Sequence, residues 1–280
     1  MNRLIADSGS TKTDWLLIKD SGETVGIKTK GINPFFRTSE DIYEELKSDL
    51  QPVVGEPESI FFYGAGIINE ERGEVIRKAL LQLFPAAHVE THSDVLGASR
   101  ALFGKQSGIA CILGTGSNAC LYDGEAVVTG IPPLGFILGD ECSGAVLGRK
   151  LLGDYFKNVM PADIQTLFAS DYAVTQAEVL RRVYRADRPN KYLAGFTPFL
   201  SKHIDEAYCR ELVTASVDEF FKRNVIQIPD AGQFDLGFVG SVAWHFRDIL
   251  EAVASGHGFS NPRILKGPIE KLQEYHSTNE

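Results

Sequence analysis

Apolar positions come in short bursts at the start of the chain and at helical spacing further on. Leu4-Ile5-Ala6 is a brief apolar run and Trp15-Leu16-Leu17-Ile18 is a second, separated by Asp7-Ser8-Gly9-Ser10-Thr11-Lys12-Thr13. Two β-prone runs around a small polar turn predict a hairpin. Thr38-Ser39-Glu40-Asp41 followed by Ile42, Leu46 and Leu50 reads as a helix start with its cap. A buried strand is predicted over 59–63, ending at Gly64-Ala65-Gly66. A helix over 70–84 carries Val75, Ile76, Ala79, Leu80 and Leu83 on one side. A short strand over 88–92 then leads to Asp94 and a helix of small residues over 95–102.

The opening pattern returns a hundred residues later. Ile109-Ala110-Cys111-Ile112-Leu113 is apolar, Gly114-Thr115-Gly116-Ser117-Asn118 is a small polar turn, and Ala119-Cys120-Leu121-Tyr122 resumes the run. The repetition suggests an internal duplication with a boundary near Lys105-Gln106-Ser107. The domains expected are 1–106 and 107–265, with a final helix over about 266–280 packing back on the first. Between them, helices are predicted over 141–153, 160–169, 175–186, 189–202 and 205–225, and a strand over 234–239 that ends at Gly240-Ser241. Phe35, Phe36 and Phe196 read as core.

Composition narrows the classes. With 28 Lys+Arg against 37 Asp+Glu the formal net charge is −9, which argues against nucleic acid as the main partner. Cys111, Cys120, Cys142 and Cys209 contain no CxxC pair, so buried thiols are expected, not a disulfide scaffold or a metal cluster. No leading apolar stretch has signal-peptide length and no run approaches the ~20 residues of a membrane span, so a cytoplasmic protein with no membrane partner is expected.

Several loops carry candidate chemistry. Gly9 lets the first loop turn sharply, and the hydroxyls of Ser10, Thr11 and Thr13 suit phosphate oxygens, while Asp7 at the strand end suits Mg²⁺. An ordinary polar hairpin is the competing reading. The P-loop pattern is rejected, because GxxxxGK[ST] is incomplete and a strand follows instead of a helix. The second loop, 114–118, has the same character. Asp94 suits either a helix cap or a proton acceptor facing a ligand, and local sequence favours the cap. Gly139-Asp140-Glu141-Cys142-Ser143-Gly144 delivers adjacent carboxylates to a helix start, where an N-cap with a negative first turn is the plain alternative. Val239-Gly240-Ser241-Val242 is a strand-to-helix turn that suits an adenosine face or simple packing. His88 and His92 fall in a predicted strand and receive no ligand role.

Taken in order, Asp7–Thr13, Asn33, Asp94, the 114–118 loop, 139–144 and 239–242 resemble the N-acetylglucosamine kinase-like branch of the BadF/BadG/BcrA/BcrD ATPase family, within the actin/hexokinase/heat-shock-protein superfamily. The resemblance implies an α/β fold of two duplicated ribonuclease-H-like domains with an interdomain nucleotide cleft. It implies ATP-dependent phosphorylation of the 6-hydroxyl of an amino sugar, with ATP and Mg²⁺. Gly9, Ser10, Thr11, Lys12, Gly114, Thr115, Gly116, Gly240 and Ser241 would bind ATP, and Asp7 would help hold the metal. Asp94 would be the catalytic base, which reverses the local preference for a cap. Asn33, Asp94, Thr115, Asn118, Asp140 and Gly144 would hold the sugar, and a homodimer would be expected. Two departures stand out: Pro133-Leu134 replaces a Gly-Trp pair of the animal-type kinases, and Cys142 replaces a glycine. Alternative readings are an ATPase that activates a 2-hydroxyacyl-CoA dehydratase-type partner through an iron–sulfur cluster, with Cys111, Cys120 or Cys142 in that role, and a non-catalytic nucleotide-binding regulator.

Overall fold

The computed structural model describes residues 2–9 and 11–277. Strands β1 (Arg3–Ser8) and β2 (Lys12–Ile18) form the expected hairpin, with Asp7 opposite Asp14 and Ser8 opposite Thr13. Strand β3 (Thr24–Lys30), which the apolar pattern did not predict, continues the meander. Strands β4 (Ser59–Gly64) and β5 (His88–Ser93) run parallel to β1, giving the order β3-β2-β1-β4-β5. Central β1 buries Leu4, Ile5 and Ala6 in succession, as a strand covered on both faces must. In β2 only Thr13, Trp15 and Leu17 are buried, the alternation of a strand with one covered face. Trp15 packs edge-on against Phe62 at 5.7 Å and donates its indole N–H to the Thr29 hydroxyl at 2.9 Å, which ties β2 to β3 and β4.

The second sheet repeats the plan. Strands β6 (Gly108–Leu113) and β7 (Ser117–Tyr122) form a hairpin, β8 (Val127–Gly130) follows, and β9 (Leu236–Val239) and β10 (Arg263–Leu265) complete the order β10-β9-β6-β7-β8. As β1 does, β6 has an antiparallel hairpin partner on one side and a parallel strand on the other. These are duplicated α/β units of the actin/hexokinase type. The first compact unit comprises Met1–Gln106, Gly124–Val127 and Gly267–Glu280, and the second Ser107–Asp123 and Val128–Lys266. Each has its own core: Leu46, Phe62, Ile76 and Leu80 lie in the first, and Phe168, Phe199, Phe220 and Phe238 in the second.

Some expectations need correction. The helix read over 189–202 is two, Pro189–Ala194 and Thr197–Lys202, because Gly195 and Pro198 interrupt the ladder. The helix read from 141 begins at Gly144 and runs to Phe156, since Asp140 and Cys142 have φ of 53° and 59°. The turn at 239–242 opens the short helix Ser241–His245, and a second helix, Arg247–Gly256, follows it. Phe196 is buried, but Phe35 and Phe36 are exposed, and the Arg72 guanidinium lies over the Phe35 ring at 4.5 Å. All four cysteines are buried thiols, and no helix among the described residues is long and apolar enough to cross a membrane.

Candidate active site

In the first unit the register does most of the positioning. Ser8, Gly64 and Ser93 end β1, β4 and β5 side by side, so the loop after Ser8, the Gly64–Gly66 turn and Asp94 all emerge at one edge, the carboxyl ends of the parallel strands. Ligand sites of open α/β sheets form there.

The first loop is more committed than its sequence suggests. The Gly9 N–H donates to the Lys12 carbonyl at 3.0 Å and closes the turn. The Ser8 and Thr13 hydroxyls lie 2.7 Å apart, with Ser8 also bonded to the Ile32 backbone and Thr13 to the Lys30 carbonyl. Thr13, read as a phosphate donor, is therefore fully buried and structural. Thr11 differs: its hydroxyl oxygen is buried and has no hydrogen-bond partner among the described residues. Lys12 is exposed and pairs with Asp14 at 2.5 Å. Ser10 lies outside the described residues.

Asp94 is not the cap of its helix. Ser93 caps Asp94–Phe103 by accepting the Leu96 N–H, and the Asp94 carboxylate accepts the Val95 N–H at 2.9 Å. Burial raises the Asp94 carboxyl to about 6, against a lowering from that bond. Gly97 lets the helix pack close to β4, because a side chain there would strike the Tyr63 ring. Asp7 is pushed up to about 7 by burial first, then by the charges of Asp94 and Asp14, with Lys12 pulling down. A carboxyl desolvated beside two like charges is a fitting place for a divalent cation. The described residues contain no group of three or more His, Cys, Asp or Glu side chains able to hold a metal, so water and phosphate oxygens would complete the coordination, as Mg²⁺ prefers. Asn33 is held against Gly66, which has φ of 85° and no room for a side chain, and the Asn33 Oδ1 accepts the Phe35 N–H at 2.9 Å.

In the second unit two loops are stitched together. The Gly144 N–H donates to the Gly114 carbonyl at 2.8 Å and the Ala145 N–H to the Thr115 carbonyl at 3.2 Å. Ser143, not an acidic residue, caps the helix Gly144–Phe156, and no carboxylate lies in its first turn, so the plain reading of the Asp140-Glu141 pair fails. The Asp140 carboxylate packs over Gly116 and takes the Ser117 N–H, while burial pushes its pKa up. Asn118 and Asp140 line one small cavity of about 70 Å³. Gly144 is buried, and a side chain there would press on Ala194, the Gly114 carbonyl and the Thr197 hydroxyl. Gly240, at φ 132°, abuts the Leu113 carbonyl and the Gly114 amide, which brings the 239–242 turn beside the 114–118 loop.

The structure thus gathers Asp7, Thr11, Lys12 and Asp94 at one sheet edge of the first unit. It gathers Gly114–Asn118, Asp140, Gly144 and Gly240 at the matching edge of the second. Asp14 and Arg223 carry no signal in the motifs, and Glu141 is read there only as half of a carboxylate pair. Counting the hairpin register from Gly9 would have found Asp14 opposite Asp7. Nothing local pointed to Arg223, 82 residues from the Glu141 it binds.

Among solved structures, one from Porphyromonas gingivalis, described as a candidate N-acetylglucosamine kinase, is 42% identical over 99% of each chain with a TM-score of 0.94. The chain belongs to that protein's family. Another protein so described, from Chromobacterium violaceum, is 16% identical over 98% of this chain and 97% of that one, with a TM-score of 0.67. A ROK family glucokinase from Streptomyces griseus, solved with glucose and AMPPNP, is 16% identical over 99% and 98% with a TM-score of 0.56. The last two speak for the fold alone. No family model and no curated protein matches the chain.

Proposed function

We propose that the protein is an ATP-dependent kinase of the 6-hydroxyl of N-acetylglucosamine or a closely related amino sugar, in the N-acetylglucosamine kinase-like branch of the BadF/BadG/BcrA/BcrD ATPases. The full-length similarity to the Porphyromonas gingivalis protein carries this reading. In it, Asp94 orients the sugar hydroxyl and takes its proton. A carboxyl raised to about 6 is a stronger base than an ordinary one and is still ionised at neutral pH. Phosphoryl transfer passes through a loose transition state, so placement and charge neutralisation supply most of the acceleration. Thr11, whose buried hydroxyl has no partner among the described residues, and Lys12 serve the phosphates in the first unit. Gly114, Thr115, Gly116, Gly240 and Ser241 serve the nucleotide in the second. Asn33, Asn118 and Asp140 hold sugar hydroxyls. Asp7 is the protein ligand for Mg²⁺, which when bound neutralises charge on the phosphates. A test is ADP release over a panel of amino sugars and hexoses with Mg·ATP. The reading expects turnover with N-acetylglucosamine, glucosamine or N-acetylmannosamine above that with plain hexoses. ATP binding without turnover on any sugar would favour the non-catalytic regulator.

A further inference from the structure

Glu141 sits between two residues in the left-handed region, Asp140 at φ 53° and Cys142 at φ 59°. Neither is glycine, and a thiol-bearing residue has no intrinsic reason to be there, so the surroundings must impose the conformation. Glu141 is buried, and its carboxylate is gripped from both sides. Oε1 lies 2.6 Å from the Arg223 Nε, and Oε2 accepts the Asn224 side-chain amide at 3.1 Å. Both partners stand at the end of the helix Ala207–Arg223, a firm element that packs Val213, Val217 and Phe220 into the second core. The same small cavity that Asn118 and Asp140 line is walled by Glu141, Arg223 and Asn224.

The geometry points to Glu141 and Arg223 as positioning residues for Asp140, setting the fit of the amino sugar and not of ATP. This deepens the kinase reading and rests on it. Arg223 and Asn224 fix the Glu141 side chain, and that fixes the backbone on which Asp140 is turned toward Gly116 and the Ser117 N–H. With the grip released, residues 140–142 are free to relax toward ordinary dihedrals, and the Asp140 carboxylate leaves its place. A charge-assisted contact from a well-packed helix to a turn with no glycine at its strained positions is what such an arrangement needs.

Arg223 is the residue to change, because its side chain is 58% exposed and its loss opens no core cavity. In Arg223→Ala the KM for the amino sugar should rise about tenfold while the KM for ATP stays within about twofold, and Arg223→Lys should recover much of the loss. A merely structural role would move both KM values together or neither. Wild-type turnover with an unchanged sugar KM in Arg223→Ala, or equal rises for sugar and ATP, overturns this inference alone. Wild-type protein that turns over no sugar overturns the kinase reading, and this inference with it.

Discussion

At the residue scale, Asp94 and Cys142 each offer a direct test. Asp94 is held at about 6 by burial at the start of its helix. If it is the base, kcat/KM falls on the acid side as pH drops through about 6, because protonated Asp94 cannot accept the hydroxyl proton. Asp94→Asn keeps the shape and the first-turn position, so it should cost roughly 10²-fold or more in kcat with little change in either KM. Turnover near the wild-type value in that variant removes the assignment. Cys142 is a different kind of test. It is fully buried at φ 59°, where a β-branched side chain clashes with its own backbone. Cys142→Val should therefore lower stability by about 1–3 kcal/mol, read as a drop in Tm, although valine is close to cysteine in polarity. The glycine that the family resemblance expects there is the residue such a φ favours.

At the scale of elements, the helix Ile269–Ser277 comes last in the chain and packs on the first unit's β1, β2 and the helix Asp94–Phe103. Its anchor is His276, whose ring stacks on Phe61 at 3.9 Å and lies 2.9 Å from the Tyr63 hydroxyl, while its carbonyl accepts the Arg3 guanidinium. Burial, helped by the Arg100 charge, holds His276 down at about 4. The unfolded chain binds that proton near 6.5, so the helix's contribution is full above about 6.5 and is lost as pH falls toward 4. His276→Phe keeps the stacking and cannot be protonated. Its Tm should fall less than the wild type's between pH 7 and pH 4.5, and an equal fall in both would refute the anchor. Elements of this kind also mark what sequence could convey. The hairpins β1–β2 and β6–β7 were readable because apolar runs bracket small polar turns. Strand β3 was not, since Lys28 and Lys30 dilute an edge strand in which only Val25, Ile27 and Thr29 are covered even in part. Asp7, Asp94 and the loops at Gly9, Gly114 and Gly240 were legible as motifs at strand ends, and Asp140 as part of a glycine-bounded helix start. The commitment of Thr13 to the Lys30 carbonyl and the grip of Arg223 on Glu141 depend on long-range register and packing, which no local window contains.

For the whole molecule the question is charge. The chain carries a formal −9, and Asp94 and Asp14 both act electrostatically on Asp7 at the edge where a polyphosphate is proposed to bind. A bare triphosphate brought there meets like charge in a partly desolvated setting, and repulsion at short range is poorly screened by salt. Burial is the main cause of the raised pKa of Asp7, and the charges of Asp94 and Asp14 add to it. A divalent cation reverses the sign of the local field, so binding of ATP should depend on it far more steeply than on bulk ionic strength. Mg·ATP at about 100 times its Kd should stabilise the native state by about 2.7 kcal/mol, a shift of several degrees in Tm. ATP with excess EDTA at the same concentration should give a small fraction of that shift, and Asp7→Asn should narrow the gap between the two conditions. The same variant, free of ligand, should melt above the wild type at pH 8 and close to it at pH 4. An aspartate with its folded pKa raised from 3.8 to about 7 contributes fully to the native state below about 4 and loses that contribution as pH climbs through the range up to about 7. Equal stabilisation by ATP with Mg²⁺ and with EDTA would mean that Asp7 faces no metal-bound phosphate, and the first unit's edge would have to be reassigned.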